Sequence, residues 1–250
     1  MRMPYRALGQ TQLKVSALGL SANRLGDPAL GESAADALIS AALDAGVTLI
    51  DTFGFRAEER LGRILVGRRH RTMLAASLGD VLGPPLTDDT LELVVDALLV
   101  RLRTDWIDLL QLDAGNATVL LDRDLEGALW RLRSAGKVRA FGYAGDGDAL
   151  FVAASDPRVE VLHCSLACFE RRATRHVMRR LAARGAGALV GATGGITERA
   201  LRSLAGAPGV ASVLIETARI AELDACARWM ARGPLAERAP GFLPELGRVG

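Results

Sequence analysis

Short apolar runs alternate along the chain with longer segments whose apolar residues recur every three to four positions. The runs Ala17–Leu20, Thr48–Asp51, Thr72–Ser77, Ile107–Leu112, Val138–Gly142, Val159–His163, Ala188–Val190 and Ser212–Ile215 read as buried strands. Helical periodicity follows each of them, over about 33–45, 56–66, 87–103, 123–134, 146–155, 172–184, 197–205 and 219–231. Strands that are apolar throughout and separated by amphipathic helices indicate a parallel sheet covered by helices. Eight strand–helix pairs are the number that closes a (β/α)8 barrel. Thr87 or Asp88 offers a helix cap, and Gly46, Gly136 and Gly185 each follow a helical pattern where a left-handed residue ends the helix. Residues 1–16 form a hairpin cap ahead of the first strand, and 233–250, rich in Pro and Gly, read as a surface tail. The whole of 1–250 is thus expected to be one domain.

Composition narrows the function. The chain has 250 residues, half of them apolar, with 31 basic and 29 acidic residues scattered without a block. Phosphate backbones need clustered positive charge and bases need aromatic platforms, so a nucleic-acid partner is not expected. The only lysines are Lys14 and Lys137. The richness in Ala, Gly, Leu and Arg suggests a bacterial source with a GC-rich genome. Cys164, Cys168 and Cys226 form neither a CxxC motif nor an even disulfide framework. No leader pattern and no long apolar run is present, so the expected location is cytoplasmic, with no membrane partner. The expected partner is a small-molecule substrate, and the composition is compatible with oligomerisation.

Five stretches carry a specific pattern: Tyr5–Thr11, Leu13–Leu20, Ala45–Thr52 (AGVTLIDT), Thr104–Leu112 (TDWIDLLQL) and Gly136–Gly142 (GKVRAFG). Together they resemble the aldo-keto reductases, from Tyr5 to about Trp229. The resemblance implies a TIM barrel closed at its bottom by an N-terminal β-hairpin. It also implies an NADPH-dependent carbonyl reductase whose Tyr donates a proton, tuned by a Lys and an Asp, beside a His. Against that frame Asp51 matches the Asp. Phe53–Arg56 offers no hydroxyl, Ser77 takes the position of the Lys, and Asp113 takes that of the His. Ala144-Gly145 stand at the family's Ser-Asn pair, His163 at its Gln and Leu166 at its stacking Tyr. The segment Ala192–Gly195 is short, as are the other top-face loops expected here. Glu216 and Ala218 align where a phosphate of the cofactor is expected, with Arg219 close by.

These replacements lead to an expectation of a barrel that has left hydride transfer. The first reading is a cofactor-independent acid/base enzyme, of cyclase, dehydratase, epimerase or isomerase type, acting on a small carbonyl-containing metabolite. Its catalytic candidates are Asp51, Asp113, His163, Ser77 and Tyr143, with Phe55, Thr193, Glu216 and Arg219 as substrate-binding candidates. Crowded carboxylates raise one another's pKa and His titrates near neutrality, so such a set can move protons. Blander readings stand beside each: Asp51 as a rim brace, Asp113 as a surface loop residue, His163 as structural, Glu216 as a partner of Arg219. No cofactor and no metal site is favoured. The alternatives are a non-catalytic binding subunit and an NADPH-dependent reductase with an unusual donor, Tyr143 or His163.

Overall fold

A computed structural model describes residues 2–78, 88–113 and 125–235, without the side chains of 88, 89 and 113. The expected cap at Thr87, the start of the fourth predicted helix and most of the predicted tail lie outside the described residues. Strands β1 (Tyr5–Ala7) and β2 (Lys14–Ser16) pair antiparallel as the hairpin. The remaining eight are β3 (Leu18–Ser21), β4 (Leu49–Thr52), β5 (Met73–Ser77), β6 (Ile107–Asp113), β7 (Val138–Ala144), β8 (Val161–Ser165), β9 (Gly187–Ala192) and β10 (Val210–Glu216). They close in the order β10-β3-β4-β5-β6-β7-β8-β9, every pair parallel. The (β/α)8 barrel with its N-terminal hairpin is therefore the fold of this chain.

Around the barrel lie α1 (Glu32–Asp44), α2 (Phe55–Ile64), α3 (Asp88–Leu102), α4 (Leu125–Ser134), α5 (Asp148–Ser155), α6 (Leu166–Phe169), α7 (Arg172–Ala183), α8 (Glu198–Gly206) and α9 (Ile220–Ala231). Gly46, Gly136 and Gly185 adopt φ of 84°, 72° and 86°, the left-handed turn expected after α1, α4 and α7. The short helix α6 escaped the periodicity because one turn is too brief to show it. It exists because the Ser165 hydroxyl accepts from the Cys168 N–H at its start. Strand β8 starts two residues later than predicted, at Val161, because Val159 is drawn into a turn by its N–H donating to the Asp156 carbonyl.

Side chains alternate across each strand, so the barrel has a lumen set and an outer set. Leu49, Ala75, Leu109, Ala140, Val161, Leu189 and Leu214 fill the lumen, and Leu8 and Val15 of the hairpin plug it from below. The outer set, with Leu20, Ile50, Leu74, Leu110, Tyr143, Leu162, Val190 and Val213, packs against the helices. Both lysines stand at the bottom: Lys14 in the hairpin and Lys137 immediately before β7, its Nζ donating to Asp96.

Near the same lower end, a buried carboxylate ties β6 to its neighbours. Asp108, 1% exposed, accepts from the Leu74 N–H at 2.9 Å, from Arg69 Nη2 at 2.8 Å and from Arg139 Nη1 at 2.9 Å. The Arg69 guanidinium lies over the Trp106 ring at 4.4 Å, so its exposed face is also covered.

Close packing of α2 on α3 depends on one glycine. A Cβ at Gly62 would sit 2.3 Å from the Arg101 carbonyl oxygen and 2.8 Å from the Leu102 Cα, both backbone atoms that cannot rotate away. Gly62→Ala is expected to lower stability by about 1–3 kcal/mol in urea unfolding, the range for overpacking. An unchanged midpoint would mean the two helices separate freely.

Candidate active site

One step of two residues along each strand, from the apolar plug toward the C-terminal ends, changes the lumen's chemistry. Leu49 gives way to Asp51, Ala75 to Ser77, Leu109 to Gln111, Ala140 to Gly142, Val161 to His163, Leu189 to Gly191 and Leu214 to Glu216. A polar ring thus stands on an apolar floor at the end of the barrel where TIM-barrel active sites form.

Four members of the ring are joined by hydrogen bonds. Gln111 Nε2 donates to Asp51 Oδ1 at 2.7 Å and to Ser77 Oγ at 3.2 Å. Gln111 Oε1 faces His163 Nδ1 at 3.2 Å. Gln111 is fully buried, Asp51 and Ser77 are 4% and 7% exposed, and His163 is half-buried. Burial raises the Asp51 carboxyl to about 7, opposed only by the bond from Gln111. Burial also lowers His163 to about 4, against the attraction of the nearby Asp146 carboxylate. Burial thus favours the uncharged imidazole of His163 and the protonated form of Asp51 toward neutral pH.

The wall beside His163 is held by Asp146, in the loop after β7. Its Oδ1 accepts from the Ser165 N–H at 2.9 Å and its Oδ2 from the Ser165 hydroxyl at 2.6 Å. On the other side stands Gly191, where a Cβ would come within 3.1 Å of His163 Nε2. That nitrogen is consequently uncovered from β9.

Several expected site residues sit elsewhere. Tyr143 falls on the outer parity of β7 and is fully buried in the layer between barrel and helices, so it is no proton donor to the mouth. The Phe55 ring lies 5.0 Å from the Arg101 guanidinium of α3, engaged at the α2–α3 seam rather than over the strand ends. Arg219 pairs with Glu222 at 3.1 Å, not with Glu216. Glu216 ends β10 beside Ser21 and has no ion pair among the described residues. Thr193 is exposed just past β9. Asp113 ends β6 opposite Ala144, and its side chain lies outside the described residues. The reading from residue types overlooked Gln111, Asp146, Ser165 and Gly191. Gln111 and Gly191 carried a signal in the two-residue step from the apolar plug; Asp146, on a loop, carried none. Among the described residues no cluster of three or more His, Cys, Asp or Glu could hold a metal ion, and no helix is long and apolar enough to cross a membrane.

Known proteins with the same pattern are reductases by name. Aldo-keto reductase YhdN of Bacillus subtilis is 32% identical over 154 residues, 56% of this chain and 46% of that protein. A 6-dehydroglucose reductase of Novosphingobium aromaticivorans is 36% identical over 160 residues, 55% of this chain and 50% of that protein. The chain spans about half the length of the curated relatives it matches. In three dimensions, a solved Pseudomonas aeruginosa protein assigned to the aldo-keto reductases superposes with a TM-score of 0.78 at 28% identity, covering 91% of this chain and 95% of that one. The holo form of aldo-keto reductase AKR11C1 from Bacillus halodurans shares the fold, with a TM-score of 0.80 at 20% identity over 94% and 93% of the two chains.

These matches correct the expectation that no cofactor is favoured. A reductase needs a hydride source, which in this family is NADP(H). The expectation of non-redox chemistry loses its support for the same reason, since the named relatives are reductases and oxidoreductases. The sequence profile of the Aldo/keto reductase family matches residues 17–187, more than half of the chain, and the chain belongs to that family.

Proposed function

We propose that this protein reduces a small carbonyl compound with NADPH, and that Asp51 in place of a phenol supplies the proton. The observation that supports this most is the buried Asp51 carboxyl, raised to about 7 at the mouth of the lumen. A general acid works best when its pKa lies near the working pH. No other described group of the ring meets that need: His163 is neutral down to about pH 4, and Tyr143 points away.

The mouth suits a nicotinamide nucleotide at both ends. His163 Nε2, left bare by Gly191, would meet the carboxamide end. The Gly194-Gly195 turn, at φ of 78° and 91° ahead of the α8 N-terminus, has open space around Gly194 for phosphate oxygens. The Arg219 side chain, 79% exposed at the start of α9, would reach a phosphate there only by leaving Glu222, whose Oε1 lies 3.9 Å from a Cβ placed on Gly195. When bound, NADPH supplies hydride to the carbonyl carbon. Asp51 then gives its proton to the substrate oxygen, while Gln111 fixes Oδ1 and leaves Oδ2 to act. Burial of the carboxylate holds its pKa up against the lowering effect of the Gln111 bond.

Titration with NADPH, followed by nicotinamide fluorescence, tests the reading. Micromolar binding and NADPH oxidation in the presence of short aldehydes are expected. Gly191→Ala, which would cover His163 Nε2, is expected to weaken NADPH binding about tenfold, or about 1.4 kcal/mol. No binding at millimolar NADPH would overturn the proposal.

A further inference from the structure

The amide of Gln111 is committed on both sides, and that commitment sets the chemistry of the ring next to it. Its Nε2 faces two acceptors, Asp51 Oδ1 at 2.7 Å and Ser77 Oγ at 3.2 Å. Turning the amide over would place two oxygens 2.7 Å apart against an ionised Asp51, an arrangement with no hydrogen between them. Oε1 must then point at His163 Nδ1, 3.2 Å away. A carbonyl oxygen can only accept, so the hydrogen in that contact belongs to Nδ1. A neutral imidazole carries one N–H, which leaves Nε2 as a lone pair directed toward Gly191 and the mouth.

We propose that, while Asp51 is ionised, Gln111 is a positioning residue that locks His163 in its Nδ1–H tautomer, so that the imidazole meets bound ligands at Nε2 as a hydrogen-bond acceptor. Any group seated against Nε2 must therefore bring an N–H or O–H donor, such as a primary carboxamide or a hydroxyl beside the reacting carbonyl. A bare carbonyl oxygen gains nothing there. The ring's neutrality, imposed by burial, keeps the second nitrogen from donating in the imidazolium form. The functional consequence rests on the reading of this mouth as the cofactor and substrate site. The tautomer does not, and its test needs neither NADPH nor activity.

Two-bond nitrogen–proton correlation spectra of uniformly labelled protein separate the tautomers, because protonated and bare ring nitrogens resonate far apart. The chain has three histidines, His70, His163 and His176, so a His163→Phe spectrum assigns the signals. At a pH well above the Asp51 value of about 7, His163 is expected to show a protonated Nδ1 and a bare Nε2. Gln111→Met, similar in size but unable to accept strongly, is expected to lose that separation as the tautomers interconvert. A purely structural glutamine would leave the pattern unchanged in Gln111→Met, which overturns the assignment. Should that variant not fold, the unmodified protein still decides, since a protonated Nε2 there overturns it alone. NADPH addition then separates the two readings: a shift of Nε2 supports both, and an unmoved Nε2 with the Nδ1–H pattern intact sinks only the cofactor site.

Discussion

Asp51→Asn is expected to abolish most carbonyl reduction while making the folded protein more stable at alkaline pH. Loss of a positioned general acid lowers rates by about 10²–10⁴-fold. The stability effect has the opposite sign because burying an ionisable carboxyl costs folding free energy. Its pKa rises from 3.8 to about 7 on folding, so the native state resists ionisation. Below about pH 4 the group is protonated in both states and contributes no difference. As pH rises from about 4 to 7 the unfolded chain ionises first, and stability falls until the folded carboxyl also loses its proton. A shift of about three units corresponds to roughly 4 kcal/mol on this linkage relation. Asparagine has nothing to ionise and can still accept from Gln111, so the variant loses the Asp51 decline and keeps the opposing rise that His163, lowered to about 4 on folding, gives between about pH 4 and 6.5. Urea unfolding at several pH values, beside initial rates with NADPH, reads both effects. The unmodified enzyme should also lose kcat as pH climbs through about 7, with the deprotonated form inactive. A variant that stays active, or one no more stable than the parent at pH 8, would remove Asp51 from the proton-donor role.

Asp108→Ala is expected to be the most damaging single change to the fold, costing about 3–5 kcal/mol. Truncating one partner of a buried ion pair leaves the other charge without compensation. Here that charge is Arg69, whose side chain is 13% exposed, together with the Leu74 N–H that loses its acceptor. Arg139, 52% exposed, can turn to solvent, so Arg139→Ala should cost about 1 kcal/mol or less. A midpoint lowered by about 10 °C on thermal unfolding would accompany the Asp108 variant, given the shift of roughly 2–4 °C per kcal/mol for chains of this size. A loss below about 1 kcal/mol would show that the clasp contributes nothing beyond its surface arm. Because the clasp sits at the bottom of the barrel, NADPH affinity per folded molecule should not change, which separates it from Asp51.

Periodicity along the chain determined the eight barrel strands, the helices between them apart from the one-turn α6, their order and the closed parallel barrel. These follow from local rules: apolar runs flanked by amphipathic segments have few other ways to bury their surface. The five motif stretches also identified the family. Placement in the lumen was legible for Asp51 and His163, whose residue types stand out on strands, and less so for Gln111, an amide that looks inert without its neighbours. Tyr143 shows the limit: its hydroxyl suggests a proton donor, but register parity on β7 turns it outward. Phe55 and Arg219 similarly found partners, Arg101 and Glu222, that lie too far or too ambiguously placed in sequence to be read. The cofactor expectation failed because it weighed missing side chains one by one, whereas barrel backbone and a glycine such as Gly191 also shape a site. What only the tertiary structure decided is which side chains share the lumen and how their hydrogen bonds connect. Asp51, Gln111 and His163 come from β4, β6 and β8, successive bonded partners standing 60 and 52 positions apart in the sequence. Closure of the barrel brings them together and excludes water, and it is that exclusion which moves a carboxyl to about 7 and keeps an imidazole neutral.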